Sequence, residues 1–258
     1  MDKRLLAQFI FFLLQNPFLK NFFTGRIYQG RLKHVCTPGL NCYSCPAAAM
    51  SCPIGAAQHN INLYVSGFLI TVGLVFGRFI CGFVCPMGWV QDLLYRIKSP
   101  KLILRLRYLR YVKYVVLILF VIILPMIFGN PWFCAYICPS GTLFAAIPLI
   151  AANDFLRELI GMQFILKLAI AIAVVVLSVF ILRIFCRVLC PLGAIYGLFN
   201  RIAFMRMGCD TDKCVACGSC SLACHIKIDP VLEPNSPECF RCGDCVKACK
   251  QKAKSLRI

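Results

Sequence analysis

Long apolar runs separated by short polar or cysteine-rich turns dominate the chain as far as Leu182. The four longest runs cover residues 5–23, 61–80, 111–128 and 164–182. Each approaches the roughly 20 residues that a helix needs to cross the hydrocarbon core of a bilayer. A fifth run, 142–152, is too short to cross and is predicted to form an interfacial or re-entrant helix. The pattern predicts a mainly helical domain with four transmembrane spans.

The first run is also compatible with a secretory signal peptide. No small-residue cleavage site follows it, and the apolar pattern continues past Asn16-Pro17 as far as Phe23, which favours retention as a span. The pattern changes near Met207, where polar residues and closely spaced cysteines replace the apolar runs. We therefore predict a transmembrane domain over residues 1–206 and a separate domain over residues 207–258.

The charge distribution predicts the orientation of the spans. The chain has 28 Lys and Arg against 10 Asp and Glu, yet 60% of it is hydrophobic, so basic cytoplasmic loops explain the charge better than a nucleic-acid partner does. With the amino terminus inside, 22 basic residues lie on inner segments and 6 on outer ones. The seven basic residues in segment 96–113 carry this argument. We expect a multi-pass protein of a prokaryotic inner membrane, with both termini cytoplasmic and the lipid bilayer as its surroundings.

A Cys-Pro-x-Gly motif occurs four times. The copies begin at Cys52, Cys85, Cys138 and Cys190. In three of them another cysteine stands four residues earlier, giving C-x3-C-P. Each half of the membrane domain thus reads span, cysteine motif, span, cysteine motif, which indicates an internal repeat. In the predicted orientation, the first motif of each half lies outside and the second lies inside.

The two inner motifs together supply the four thiolates that one iron–sulfur cluster requires. These thiolates belong to Cys81, Cys85, Cys186 and Cys190. The proline removes a backbone donor and bends the chain, and the glycine permits close approach of the backbone. Remaining amide groups can then donate to cluster sulfurs. Three arginines, Arg78, Arg183 and Arg187, lie near enough to offset cluster charge, but anchoring at the inner membrane surface alone is sufficient to account for them.

The outer face holds six cysteines, and two ligand sets compete for an outer cluster. The cysteines are Cys36, Cys42, Cys45, Cys52, Cys134 and Cys138. The repeat predicts the set Cys45, Cys52, Cys134 and Cys138. A purely local loop would instead use Cys36, Cys42, Cys45 and Cys52. The two cysteines left over would form a disulfide on an oxidising face or ligate another centre.

The carboxy-terminal domain contains the run C-x2-C-x2-C-x3-C twice, as in two-cluster bacterial ferredoxins. In that pattern the fourth cysteine of each run ligates the other cluster. One 4Fe–4S cluster is therefore predicted at Cys214, Cys217, Cys220 and Cys249, and the second at Cys239, Cys242, Cys245 and Cys224. A zinc ribbon needs only two C-x2-C pairs, whereas two full sets of four are present. We predict an α+β domain of the bacterial ferredoxin type.

The remaining polar residues give weaker signals. Cys209 has no assigned role and is most simply a free or packed thiol. His34 and His59 flank the outer cysteine loop, and His225 is expected to pack beside a ferredoxin cluster. Acidic residues and glutamines are few and scattered, and no nucleophile triad, phosphate loop or dinucleotide fingerprint is present. The sequence therefore predicts no catalytic residues and favours a redox subunit over a stand-alone enzyme.

The sequences CVACGSC and CFRCGDC, behind spans that end in C-x3-C-P, resemble the NapH-like membrane polyferredoxins, a group that is related to NosR and CcoG. The loop Leu40 to Ala56 is also similar to this group. The resemblance implies a membrane electron-transfer subunit of an oxidoreductase complex, with two clusters in each domain and a possible quinone. Soluble ferredoxin, a flavoprotein or quinone would be donor or acceptor, alongside other subunits. The alternatives are a quinol-oxidising subunit confined to one face and a metal-reducing assembly factor.

Overall fold

The computed structural model describes residues 3–59, 63–102 and 108–257 and is mainly helical. Residues 61 and 62 of the predicted second span and residues 103–107 of the basic segment lie outside the described residues. The helices are α1 (Lys3–Gln15), α2 (Asn21–Thr24), α3 (Pro53–His59), α4 (Leu63–Phe76), α5 (Phe79–Phe83), α6 (Pro86–Tyr95), α7 (Val112–Val116), α8 (Leu124–Phe128), α9 (Pro139–Gly141), α10 (Ile147–Ala152), α11 (Asp154–Glu158), α12 (Met162–Phe180), α13 (Ile184–Val188), α14 (Pro191–Phe199), α15 (Ser219–Leu222) and α16 (Asp244–Ala248). Turns of 3-10 helix cover Arg31–His34 and Leu109–Tyr111, and π-helical turns cover Leu117–Ile123, Phe133–Ile137 and Thr142–Ala146.

Two helices among the described residues are long and apolar enough to cross a membrane. They are Leu109–Phe128, with 20 residues, and α12, with 19. The first is continuous because α7, a π-helical turn and α8 follow one another without a break. Ile118 and Ile165 on these helices each expose 53% of their surface, so apolar side chains face outward rather than into the core. The predicted spans 111–128 and 164–182 correspond to these two helices.

The other two predicted spans form shorter helices. The run 5–23 breaks at Asn16, because a residue before proline is driven out of the helical conformation, so α1 ends after 13 residues. The described part of the second span, α4, has 14 residues and ends at Gly77, whose φ of +52° is left-handed. The short fifth run lies within the apolar helix Pro139–Ala152. Two of the four predicted segments therefore reach spanning length.

Helix α1 is attached to the inner cysteine motif by buried glutamines. The side-chain amide of Gln8 donates to the Gly82 carbonyl at 2.8 Å, and that of Gln15 donates to the Val84 carbonyl at 2.8 Å. Gln15 also accepts a hydrogen bond from the Thr37 hydroxyl at 2.8 Å. Because amide groups buried without partners are costly, these bonds fix α1 against the chain around Cys81 and Cys85.

The carboxy-terminal region contains a two-stranded antiparallel sheet, β1 (Arg206–Cys209) and β2 (Lys254–Arg257), with helices α15 and α16 packed against each other. Strand β1 begins one residue before the predicted domain boundary. Ala216 and Arg241, each just before the second cysteine of its run, both have positive φ. Lys227 and Lys252, at matching positions after the fourth cysteine, do so too. The two cysteine runs therefore fold in the same way.

The carboxy-terminal region is bound tightly to the helical region before it through segment 236–241. The Asn200 side-chain amide donates to the carbonyls of Ser236 and Cys239, at 2.6 and 2.9 Å. Arg241 donates to the Phe76 carbonyl at 2.7 Å and to the Asn200 carbonyl at 2.9 Å. Asn200 and Arg241 are both buried. The contact therefore resembles a core rather than a loose domain interface.

We predict that Asp92→Ala destabilises the whole protein. Asp92 is 3% exposed and lies 2.7 Å from the Arg183 guanidinium and 3.3 Å from that of Arg4. Its removal leaves Arg183 buried without its counter-charge, which typically lowers the free energy of unfolding by about 3–5 kcal/mol. Denaturant unfolding in detergent measures the loss. The control is Asp154→Ala, which removes an exposed ion pair with Arg157 and should change stability little. Equal effects of the two substitutions would contradict the prediction.

Candidate functional site

The structure brings together the four inner cysteines from distant parts of the chain. We call Cys81, Cys85, Cys186 and Cys190 the inner site; each is 4–5% exposed. Every one of these thiols lies close enough to the others for their charges to interact. Two come from the α5–α6 junction and two from the α13–α14 junction. The structure therefore brings the cysteines of the two inner motifs together.

The local geometry of Cys-Pro-x-Gly is shared by the motif copies. Cys85, Cys138 and Cys190 are N-cap residues with extended backbone, and the following proline occupies the first turn of a helix. The amide of the glycine three residues later faces the cysteine thiol in all four copies, at 3.3 Å from the sulfur in the case of Gly193 and Cys190. A helix amino terminus offers unpaired N–H groups and a positive partial charge. Such a position suits a thiolate that ligates iron.

Two arginines cross between the motifs of the inner site. Arg78, before Cys81, donates to the Cys186 carbonyl at 2.9 Å, and Arg183, before Cys186, donates to the Cys81 carbonyl. They are 1% and 0% exposed. The interpretation of these two residues as surface anchors is therefore wrong, because their guanidinium groups lie inside the protein against the site.

The glycines of the inner motifs leave room beside the same two carbonyls. A Cβ atom at Gly88 would lie 2.9 Å from the Cys81 carbonyl oxygen, and one at Gly193 would lie 2.8 Å from the Cys186 carbonyl oxygen. Contacts this short force neighbouring backbone to shift. Glycine is thus required here by close approach, and each half of the site repeats the arrangement of the other.

The outer cysteines surround a cavity of about 560 Å³. We call it the outer cavity; the cysteines that line it are Cys36, Cys42, Cys52, Cys134 and Cys138. The charges of Cys42, Cys52, Cys134 and Cys138 interact with one another, as those of the inner site do. The structure therefore places Cys42, together with both halves of the repeat, around the cavity.

Cys45, which the repeat-based prediction assigns to the outer cluster, does not line the outer cavity. It is 0% exposed and its sulfur lies 3.7 Å from the Asn16 side-chain oxygen. The Lys33 ammonium group donates to its carbonyl at 3.2 Å and fixes the loop there. The inner motifs have a cysteine four residues before the Cys-Pro pair, but in this loop that position is Ala48. Cys42, in the same loop, does line the outer cavity.

The lining of the outer cavity fits a group with sulfur and iron atoms. Both polar atoms of the Asn41 side chain are buried and have no hydrogen-bond partner among the described residues. A Cβ at Gly141 would extend into the space 3.6 Å from the Cys42 sulfur, and one at Gly55 would lie 3.9 Å from the Cys134 sulfur. The absence of side chains there keeps the space between the thiols open.

The inner site and the outer cavity are neighbours. Leu40 lines the outer cavity, and its backbone N–H points at the Cys85 sulfur at 3.5 Å. Tyr196 is 0% exposed, interacts electrostatically with Cys52 on one side and Cys85 on the other, and donates from its hydroxyl to the Pro38 carbonyl at 3.1 Å. The outer loop thus descends into the protein until it touches the inner site.

The two predicted ferredoxin sets surround two separate cavities. Cys214, Cys217, Cys220 and Cys249 line a cavity of about 290 Å³, which we call the distal site. Cys224, Cys239, Cys242 and Cys245 line a cavity of about 30 Å³, which we call the proximal site. In each cavity the fourth cysteine of one run joins the first three of the other, which is the crossed arrangement that the sequence predicts.

The two ferredoxin sites differ in their access to water. Burial raises the pKa of Cys242 to about 12 and that of Cys245 to about 11 in the proximal site. In the distal site the Cys217 thiol is exposed, and a hydrogen bond with the Ser219 hydroxyl, 3.4 Å away, lowers its pKa. An incoming molecule can therefore reach the distal site directly.

The proximal site adjoins the inner site through Phe240. This residue follows the ligand candidate Cys239 and is 2% exposed. The Arg183 guanidinium carbon lies 4.3 Å from the centre of its ring, and a Cβ at Gly82 would lie 2.4 Å from its carbonyl oxygen. Arg78, which contacts the inner site, also donates to the Pro237 carbonyl at 2.5 Å. The chain between the two sites is therefore packed without a gap.

The remaining candidates lie at the edges of these sites. His34 and His59 line the outer cavity, and Cys209 lines the distal one. The His225 ring is exposed and lies 6.3 Å from that of Tyr95. Among the described residues, no three Cys, His, Asp or Glu side chains converge tightly enough to hold a single metal ion. A 4Fe–4S cluster instead presents a separate iron to each thiol.

Sequence reasoning missed two glutamines. Gln91 donates to the Cys186 sulfur and Gln58 to the Cys134 sulfur, both at 3.1 Å. A signal for them exists, because both first-half motifs read C-P-x-G-x-x-Q, at residues 52–58 and 85–91. This shared position is easily overlooked, because the polar residues of the chain show no other regular spacing.

Comparison with known protein families gives three matches to a 4Fe-4S binding domain model, over residues 63–105, 113–152 and 164–207. Each matched segment contains one C-x3-C-P motif and the helix before it. The matches therefore repeat along the chain in step with the motifs, and they stop before the two ferredoxin runs.

Individual relatives support the same assignment. The chain is 31% identical over 168 residues to an uncharacterized protein of Methanocaldococcus jannaschii, covering 62% of this chain and 63% of that protein. It is 27% identical over 191 residues to the methylamine utilization ferredoxin-type protein MauN of Paracoccus denitrificans, covering 72% and 61%, and 28% identical over 170 residues to that of Methylobacillus flagellatus, covering 63% and 52%. The chain thus spans less than two thirds of the length of these relatives.

No solved structure matches the chain. The domain matches and the ferredoxin-type relatives agree with the four groups of cysteines that the fold assembles. Together they support an iron–sulfur protein of the ferredoxin type with 4Fe–4S clusters.

Proposed function

We propose that this protein is a membrane electron carrier in which four 4Fe–4S clusters form one continuous chain, as a subunit of an oxidoreductase complex. The observation that carries the proposal is the position of Leu40. Leu40 lines the outer cavity, while its backbone N–H points at the Cys85 sulfur of the inner site. Two cysteine sites assigned to opposite faces are therefore separated by little more than one residue.

The order of the sites supports a path through the protein. The distal site has an exposed thiol at Cys217, the proximal thiols are half-buried, and Phe240 connects the proximal site to the inner site. Leu40 and Tyr196 then connect the inner site to the outer cavity. Electron tunnelling falls steeply with distance, so closely packed neighbours of this kind favour transfer along the whole series.

The side chains around the sites prepare them for electron transfer. A bound 4Fe–4S cluster supplies one-electron oxidation and reduction and needs no bond to be broken. The thiols hold it, the buried surroundings exclude water, and the guanidinium groups of Arg78 and Arg183 offset its negative charge. These are the means by which proteins adjust the reduction potential of a cluster.

The two long apolar helices support the membrane setting. A helix of 20 residues is about 30 Å long, enough to cross the hydrocarbon core. We place both termini and the ferredoxin region in the cytoplasm of a prokaryote because of the charge distribution. Non-helical backbone is tolerated at membrane depth when it is buried in protein, as the outer loop is. A soluble ferredoxin, a flavoprotein or quinone would exchange electrons with the chain.

For the outer cluster we propose the ligands Cys42, Cys52, Cys134 and Cys138. We expect Cys42→Ala to remove up to the iron of one cluster, about a quarter of the total, because it removes one of the four proposed ligands of the outer cluster. Iron and acid-labile sulfide in anaerobically purified protein measure this loss. The matched control is Cys45→Ala, in the same loop but away from the outer cavity. The ligand set is wrong if Cys45→Ala loses this iron and Cys42→Ala keeps it.

We predict electron transfer across a sealed membrane. The protein is reconstituted into vesicles that contain ferricyanide, with a reduced soluble ferredoxin outside. Molecules whose ferredoxin region faces outward should bleach the trapped ferricyanide, and the rate should fall by at least tenfold in Cys85→Ala and in Cys138→Ala.

Cys45→Ala serves as the control in the vesicle experiment, and the ferredoxin signals in electron paramagnetic resonance (EPR) report that each variant is folded. Equal bleaching in wild type and in both ligand variants contradicts the proposal. Reduction of the inner site without bleaching indicates instead a subunit that works on one face.

A further inference from the structure

Gln58 and Gln91 occupy equivalent positions, six residues after the cysteine of a Cys-Pro-x-Gly motif in the first half of the chain. Each lies on the helix that this motif begins, α3 for Gln58 and α6 for Gln91. They are 5% and 0% exposed. A buried side-chain amide has two N–H donors and one carbonyl acceptor, all of which need partners, so the partners indicate the role of the residue.

Their hydrogen bonds are the same. The Gln91 amide nitrogen donates to the Cys186 sulfur at 3.1 Å and to the Met87 carbonyl at 3.2 Å, and its oxygen accepts from the Phe185 N–H at 3.1 Å.

The Gln58 amide nitrogen donates to the Cys134 sulfur at 3.1 Å and to the Ile54 carbonyl at 3.2 Å, and its oxygen accepts from the Phe133 N–H at 2.9 Å. All three bonds therefore recur at both sites, although the two glutamines lie on different helices.

Each glutamine connects the two halves of the repeat at one cysteine. The sulfur belongs to the first cysteine of a second-half motif, and the N–H belongs to the residue just before it. The carbonyl four residues earlier in the glutamine's own helix orients the amide, so its N–H cannot rotate away from the sulfur without losing a bond. The amide orientation is thus set by two backbone groups and leaves one donor for the thiolate.

We propose that Gln58 and Gln91 are positioning residues that raise the reduction potential of the outer and inner clusters, respectively, by donating a hydrogen bond to one ligand sulfur. This inference rests on the proposed function, since it requires clusters at both sites. Reduction adds negative charge to a cluster and its sulfurs, so a donor at the sulfur stabilises the reduced form more than the oxidised form. No electron or proton passes through the glutamine.

The test is a redox titration, followed by EPR, of the full-length protein purified anaerobically. Signals that disappear in Cys85→Ala belong to the inner cluster, and those that disappear in Cys138→Ala belong to the outer one. Hydrogen bonds to the sulfurs help to set the potential of a cluster, so Gln91→Met should lower the ratio of reduced to oxidised inner cluster about tenfold at the wild-type midpoint. For a one-electron couple this is a shift of about 59 mV to lower potential. Gln58→Met should shift only the outer cluster.

A structural role is separated from this one by a control variant at another buried glutamine. Gln8→Met removes a buried glutamine whose amide donates to the Gly82 carbonyl and the Asp92 carboxylate instead of a sulfur, and it should leave both potentials unchanged.

The possible outcomes distinguish the two proposals. If wild-type protein carries clusters at both sites and all glutamine variants keep the wild-type potentials, the role of the glutamines is wrong while the proposed function stands. If wild-type protein shows iron only in the ferredoxin region, both are wrong. If Gln8→Met shifts the potentials as much as Gln91→Met does, the effect comes from general loosening and the specific role is overturned.

Discussion

Arg78 and Arg183 are charged side chains that are almost completely buried. The structure therefore has to provide hydrogen-bond acceptors and negative charges for both guanidinium groups. Each donates to a carbonyl of the opposite inner motif, and each needs a carboxylate. Asp92 serves Arg183, while Glu238, 3.2 Å from Arg78, also accepts from Lys113 at 2.5 Å. A buried charge without its partners would be very costly. The arginines consequently hold α1, the two inner motifs and the ferredoxin region in one arrangement.

The repeat explains why such a site can be built twice. In each copy the cysteine caps a short helix, proline begins it and the glycine amide faces the thiol. Joining two such helix ends, one from each half, brings thiols of both halves together. The inner copy adds arginines and closes tightly, whereas the described lining of the outer copy has no equivalent pair of arginines and keeps a wider cavity. One local solution thus produces two sites with different surroundings.

Sequence reasoning located what is repeated or strictly spaced. The meeting of the ferredoxin cysteines and of the inner cysteines could be predicted because regular spacing fixes which thiols come together, and the apolar runs 111–128 and 164–182 correspond to the two long helices. Spacing is a poorer guide where the chain departs from the repeat. Ala48 stands where the other motifs have a cysteine, Cys45 lies away from the outer cavity, and Cys42 lines it. The sequence also did not reveal the buried glutamines of α1 or the hydrogen bond from Arg78 to the opposite inner motif. Both depend on partners in remote parts of the chain, such as Gly82 for Gln8.

The central claim is that four clusters lie in one packed series from the exposed distal site to the outer cavity. Anomalous scattering at the iron absorption edge, from crystals of the anaerobically purified full chain, measures it most directly. The account predicts four compact iron peaks, one within each group of cysteines, with the inner and outer peaks on either side of Leu40. Iron confined to the two ferredoxin sites, or an outer peak that excludes Cys134 and Cys138, would contradict it.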